Sequence, residues 1–327
     1  MNAVRLEDFE ELARRHLDEA AYDYFAGGAC DEVTLRDNRE AFGRVRLLGR
    51  VLRDVSRRTL ETTVLGTTIS MPVMIASTLA TSSLEAIAAA ASGPRWFQLY
   101  VYKDRGLTAE LVRRAESAGY GAIVLTVDGQ VWGRRYRDMR SDFALAPGMN
   151  LANLAAVGHD GFPAGAEGSG LAAYVTSLLD PSLDWNDVAR LVASTPLPVV
   201  IKGILHPDDA RLAVAHGAAG VFVSNHGGRQ LDGSPATMDV LESVVDAVAD
   251  RAEVYLDGGV RRGTDVVKAV ALGARAVAVG RPVVWALAAG GERGLTRMLA
   301  MLREECDIAL ALCGAASPAA LERSLIV

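Results

Sequence analysis

From about Val64 onward, short β-branched and apolar runs alternate with longer segments of helical period, and no other feature constrains the chain as much. Seven such runs can be read, at 71–75, 97–100, 122–126, 199–202, 220–224, 253–257 and 276–280. Amphipathic segments at 107–118, 185–194, 207–216, 237–249 and 262–272 separate most of them, and each is long enough to carry the crossover between two parallel strands. The pattern predicts an α/β fold on a parallel sheet. Polar or reactive residues gather where the runs end: Gln98, Tyr100, Thr126, Asp128, Lys202, Asn225, His226, Asp257, Gly280 and Arg281. A TIM-type β/α barrel brings all its strand ends to one mouth, whereas an open doubly wound sheet offers a ligand only its switch point. The spread of these residues over many strand ends favours the barrel.

The 327 residues are 50% hydrophobic and 23% charged, which suits a large core, and barrels of this size form one domain. The expected organisation is a single unit over 1–327, with a helical extension over about 1–60 and a lid over about 144–170. The lid is a Gly/Ala/Pro-rich stretch that follows the run at 122–126 and would lie over the mouth; plain disorder is the alternative reading of the same stretch. A net charge of −6 with no basic stripe argues against a nucleic-acid partner. The arginine pairs Arg57-Arg58, Arg134-Arg135 and Arg261-Arg262 read first as solvated surface. Cys30, Cys306 and Cys313 form no metal-binding spacing. The acidic N-terminus is unlike a secretory signal, and no apolar stretch approaches the ~20 residues of a membrane span. A cytoplasmic protein without metal is expected.

The segment SNHGGRQLDG, residues 224–233, follows the apolar run GVFV. His226 and Arg229 stand three apart on a glycine-rich strand end, so both can face a small anion. A guanidinium pairs with a carboxylate through two parallel hydrogen bonds, and an imidazole can take a proton near neutral pH. Lys202 closes the apolar run VVIK, where a buried cation needs a negative partner; the alternative is a lysine reaching to solvent. LDGGVRRG and VGRP close the last two runs with glycines and arginines, as in barrel loops that bind phosphate.

At this point the chain resembles a known family. YDYFAGGACDEVTLRDN, FQLYVYKDR, LTVDGQVWGRR, VVIKGI, SNHGGRQLDG, LDGGVRRGTDVVKAVALG and VGRPVVWALA are similar to segments of the flavin mononucleotide (FMN)-dependent 2-hydroxy-acid oxidases and dehydrogenases. That family includes glycolate, lactate and mandelate oxidising enzymes. The resemblance runs from about Leu6 to the C-terminus. It implies FMN as cofactor, a small (S)-2-hydroxy acid as substrate, and a homo-oligomer, a tetramer by family likeness. It also implies His226 as the base, oriented by Asp128, and substrate contacts from Arg135, Arg229, Tyr24 and Tyr100. Lys202 would lie beside the flavin N1 and O2, with Gln98, Thr126 and Ser224 near the ring. Asp257, Gly258, Gly259, Arg261, Gly280 and Arg281 would hold the ribityl chain and phosphate. A rival reading is a phosphate-binding aldolase or isomerase barrel with a Schiff base on Lys202, and the His226-Arg229 pair speaks against it.

The sequence departs from the family between MPVMIA and ATSSLE. About thirty residues are absent there, the size of one βα step, in agreement with seven runs where a closed barrel has eight. Ser77 and Thr78, at the junction, are the candidates for flavin contacts from this region. Loss of a strand should either force the neighbours to re-pair or leave an open seam, and a member that binds FMN poorly is the corresponding alternative. Gly129-Gln130 replaces a residue and proline after Asp128, with a small expected effect.

Overall fold

The structure is a computed structural model; it describes residues 2–75, 80–141, 143–145, 148–156 and 177–327. Ser77, Thr78 and most of the expected lid lie outside the described residues. Three helices come first: α1 (Asp8–Ala13), α2 (Glu19–Ala26) and α3 (Val33–Arg44). A two-stranded hairpin follows, β1 (Thr62–Val64) and β2 (Thr67–Ile69). The seven expected strands are β3 (Val73–Ile75), β4 (Trp96–Leu99), β5 (Ala122–Thr126), β6 (Val199–Ile204), β7 (Gly220–Val223), β8 (Glu253–Leu256) and β9 (Ala276–Val279). The helices α4 (Leu84–Ala90), α5 (Arg105–Ser117), α6 (Tyr136–Ser141), α7 (Ala152–Ala155), α8 (Trp185–Ser194), α9 (Pro207–Ala215), α10 (Thr237–Val248), α11 (Gly263–Ala271) and α12 (Arg281–Leu312) lie between or after them.

The strands form one parallel sheet in the order β3-β9-β8-β7-β6-β5-β4. Every residue of β5, β7 and β9 is buried, as expected of parallel strands covered on both faces. The sheet curls on itself. Trp96 on β4 and Tyr255 on β8 meet edge to face with centroids 5.3 Å apart, although four strand spacings in a flat sheet amount to ~19 Å. Val124, Val200, Phe222, Tyr255, Ala276 and Ala278 fill the interior. The hairpin closes the lower end: Val64 joins that cluster, and the Leu65 amide donates to Glu253 Oε2 at 3.1 Å, at the start of β8. The sequence reading missed this hairpin, whose Leu65-Gly66 turn has two positive φ angles.

The missing step is visible in the topology. β3 pairs with β9 and β4 with β5, and among the described residues nothing pairs β3 with β4. The sheet is therefore a barrel with an open seam, not one re-closed on seven strands. No helix is long and apolar enough to cross a membrane among the described residues.

Candidate active site

At the C-terminal ends of the strands lies a cavity of about 750 Å³, within the range of small-molecule sites. Tyr24, Gln98, Tyr100, Arg135, Lys202, His226, Arg229, Asp257, Gly258, Gly259, Arg261, Gly280 and Arg281 line it. Thr126, Asp128 and Ser224 stand one hydrogen bond behind: Gln98 Nε2 donates to Thr126 Oγ1 at 2.6 Å, His226 Nδ1 lies 3.0 Å from Asp128 Oδ1, and Lys202 Nζ donates to Ser224 Oγ at 2.8 Å. The described site residues proposed from sequence thus converge on one mouth.

The backbone after β7 is unusual. His226, Gly227 and Gly228 have φ of 57°, 64° and 77°, a run of left-handed residues that only the glycines accept freely. A Cβ at Gly228 would meet the Leu35 backbone amide at 2.6 Å. His226 itself sits in the left-handed region, the kind of local strain that clusters at functional sites. Its amide donates to Ser224 Oγ at 3.2 Å, which ties the turn to Lys202. Burial outweighs Asp128 and pulls the imidazole below its ordinary value, so the neutral ring is favoured. Burial pushes the Asp128 carboxyl up, but His226 and Lys202 more than offset this and leave it low. The pair is an ionised carboxylate holding a neutral imidazole by its Nδ1–H, with Nε2 left as the acceptor.

Lys202 does not reach to solvent. It is 7% exposed and its Nζ lies 3.1 Å from Asp257 Oδ2. Burial disfavours its charge, yet Asp257 and Asp128 together raise its pKa, so it stays an ammonium. Asp257 Oδ1, Asp128 Oδ2 and Gln98 Oε1 are buried with no hydrogen-bond partner among the described residues.

Three guanidiniums line the cavity without any carboxylate partner among the described residues: Arg229, Arg261 and Arg281. Arg229 Nη1 donates to the carbonyls of Tyr24 and Gly27 at 2.7 and 2.8 Å and lies over the Tyr24 ring at 5.1 Å. Arg281, at the N-terminus of α12, donates to the carbonyls of Phe25, Gly227 and Gly27. Burial with repulsion from Arg229, Arg261 and Arg135 lowers Arg281 well below the ordinary range, and burial with repulsion from Arg39 brings Arg261 down to about 10. Half-buried cations without a carboxylate partner among the described residues, beside a helix N-terminus and with open space beyond Gly280, suit a phosphate. Arg135 is 3% exposed and Arg261 lines the cavity, so both leave the solvated surface to which arginine pairs were first assigned.

Several contributors other than Asn225, already noted at its strand end, were not singled out from sequence. Gln230 Nε2 donates to the carbonyls of Asp128 at 2.5 Å and Val131 at 3.1 Å, while its Oε1 accepts from Gly133 N and Arg135 Nη2. Asn38 and Asn225 exchange two amide hydrogen bonds of 2.8 Å and dock α3 beneath the His226 turn. Gly203 (φ 114°) sits where a Cβ would lie 2.7 Å from the Asp128 side chain. Each lies within a motif quoted above, but nothing in the motif says which residue makes which bond. Gly129 lets the Tyr100 ring lie against its backbone, where a Cβ would come within 2.8 Å.

The profile of a protein family described as FMN-dependent dehydrogenase matches residues 13–78 and 73–327. The two matched segments meet at the junction between β3 and β4. A glycolate oxidase of Spinacia oleracea is 46% identical over 359 positions that cover 100% of this chain and 96% of the relative. A 327-residue chain fills 359 positions only if about 32 of the relative's residues have no counterpart. An L-lactate oxidase of Nostoc sp. is 46% identical, covering 95% of this chain and 94% of that one. Among solved structures, a mandelate oxidase with (S)-4-hydroxymandelic acid superposes with a TM-score of 0.94 at 41% identity, covering 99% of this chain and 98% of that one.

Proposed function

The chain belongs to the FMN-dependent dehydrogenase family, and from that premise we propose that it oxidises an (S)-2-hydroxy acid to the 2-oxo acid, with oxygen or another acceptor returning the cofactor to its oxidised state. The observation that carries the reading is the His226–Asp128 pair, 3.0 Å apart, on a cavity also lined by Arg229, Arg261 and Arg281, which have no carboxylate partner among the described residues. FMN supplies the acceptor for the two electrons and the hydrogen leaving the substrate carbon.

In this reading His226 Nε2 takes the hydroxyl proton, and Asp128 stabilises the imidazolium that results. Arg229 and Arg135 hold the substrate carboxylate, helped by the phenols of Tyr24 and Tyr100. The Lys202 ammonium offsets negative charge on the reduced cofactor. Gln98, Thr126 and Ser224 serve the ring, and the orphaned Gln98 Oε1 suits a ring donor. Asp257, Gly258, Gly259, Arg261, Gly280 and Arg281 serve the ribityl chain and phosphate. Tyr24 comes from α2, so we read 1–327 as one working unit, and by family likeness as a homotetramer.

Absorbance spectroscopy tests the reading. A yellow protein bleached anaerobically by an (S)-2-hydroxy acid and recoloured by air supports it; a colourless chain that refuses FMN sinks it. The unpaired edges of β3 and β4 favour a second reading, a weakly held cofactor, and titration with FMN separates the two.

A further inference from the structure

Asp138 is the buried charge that the roles above leave unused. It lies in the first turn of α6, is 2% exposed, and neither of its carboxylate oxygens has a hydrogen-bond partner among the described residues. A carboxylate in that position has to answer to a nearby cation. The nearest is Arg135, whose Nη1 is 3.8 Å from Asp138 Oδ2, outside hydrogen-bond reach but within ion-pair range. The remainder of that guanidinium is committed. Nε donates to Arg229 O at 3.1 Å, Nη2 to Gln230 Oε1 at 3.3 Å, and the plane lies over the Trp132 ring at 4.2 Å.

The charges around the pair are few. Arg135 faces Arg229 from the loop after β7, Tyr24 from α2, Tyr100 after β4, and Asp138 itself; Arg229 repels it and the others favour its charge. Burial pushes the Asp138 carboxyl above its ordinary range, Arg229 and Arg135 oppose this by attraction without cancelling it, and Asp23 from α2 adds repulsion. Among the described residues Asp138 is the one carboxylate within ion-pair range of Arg135. Take it away and Arg135 and Arg229 stand as like charges in a closed space.

We propose that Asp138 is a positioning residue for the substrate carboxylate: as counter-ion of Arg135 it keeps that guanidinium charged and seated beside Arg229, with Nη1 free to receive the incoming carboxylate. The inference rests on the function proposed above. Its pH consequence has a definite sign. Burial and Arg229 bring Arg135 down to about 9, so its charge is complete at neutral pH and is lost as pH rises through that value. An opposite charge this close supports the charged form by about one unit or more, so neutralising Asp138 moves the loss to lower pH.

The test uses the FMN-loaded wild type, Asp138→Asn and Asp138→Ser. Oxalate binding is followed by flavin absorbance between pH 7 and 10, and kcat and KM are measured with a 2-hydroxy acid that the wild type oxidises. Expected are a rise in KM and in the oxalate Kd of about tenfold near pH 9, an alkaline limb displaced downward by about one unit, and a kcat changed far less. Superimposable limbs in variant and wild type overturn the proposal, as does a fall in kcat with KM unmoved. If both variants fail to fold while Arg135→Gln folds and binds FMN, Asp138 serves the fold and the proposal is equally overturned. A wild type that binds FMN but neither oxalate nor any 2-hydroxy acid refutes the proposed function itself, an outcome distinct from these.

Discussion

At the scale of single residues, the site depends on which partner each ionisable group finds. His226 is pulled below 6.5 by burial, so the neutral base persists as pH falls, and the acid limb of kcat/KM is expected below pH 6.5. The native state binds fewer protons at this residue than the unfolded chain does in that window, so the stability it contributes is present above 6.5 and lost as pH drops. A limb above 6.5 would contradict the assigned environment. His226→Gln should lower kcat by about 10²–10⁴-fold while the flavin spectrum is retained, which separates a lost base from a lost cofactor. The types and spacing of His226, Arg229 and Lys202 were readable as chemistry in the sequence. That Lys202 answers to Asp257, and that Gln230 spans from the Asp128 carbonyl to Arg135, was not, because those bonds join residues on different strands.

At the scale of elements, the strands and helices follow the sequence pattern closely, with β5 and α8 bounded where the apolar runs and the Asp184 cap place them. The loops that aim side chains into the cavity depend on glycines in close quarters. Gly259 has φ of 90°, and a Cβ there would lie 1.9 Å from the carbonyl oxygen of Asn38 on α3. Gly259→Ala should therefore displace α3 or the loop after β8, costing more than about 1 kcal/mol and weakening FMN binding. Thermal unfolding and flavin fluorescence quenching measure the two effects; wild-type behaviour in both would mean that α3 docks otherwise. The sequence showed the glycines as turn formers. It could not show that Gly259 and Gly228 are required by a helix nearly two hundred residues or more earlier in the chain.

At the scale of the whole molecule, the open seam is the dominant fact. Among the described residues no strand lies between β3 and β4, so hydrogen exchange at their edge amides should be much faster than in β7, which has neighbours on both sides. Equal protection across the sheet would show that the seam is closed in solution. A ligand that binds only the folded barrel stabilises it by mass action, so FMN at a hundredfold excess over its Kd should add about 2.7 kcal/mol. A transition temperature indifferent to FMN would mean that the cavity does not hold it.

The sequence by itself determined the α/β class, the seven strands and the residue types at the strand ends, because periodicity and turn chemistry are local, and its resemblance to the family marked the missing step. Only the tertiary structure decided that the sheet leaves its seam open instead of re-pairing, that Asn38 and Gln230 brace the mouth, and that Asp138 is sealed against Arg135. These outcomes depend on through-space packing between distant segments, where burial and the nearest opposite charge set the state of each group, and linear spacing encodes neither.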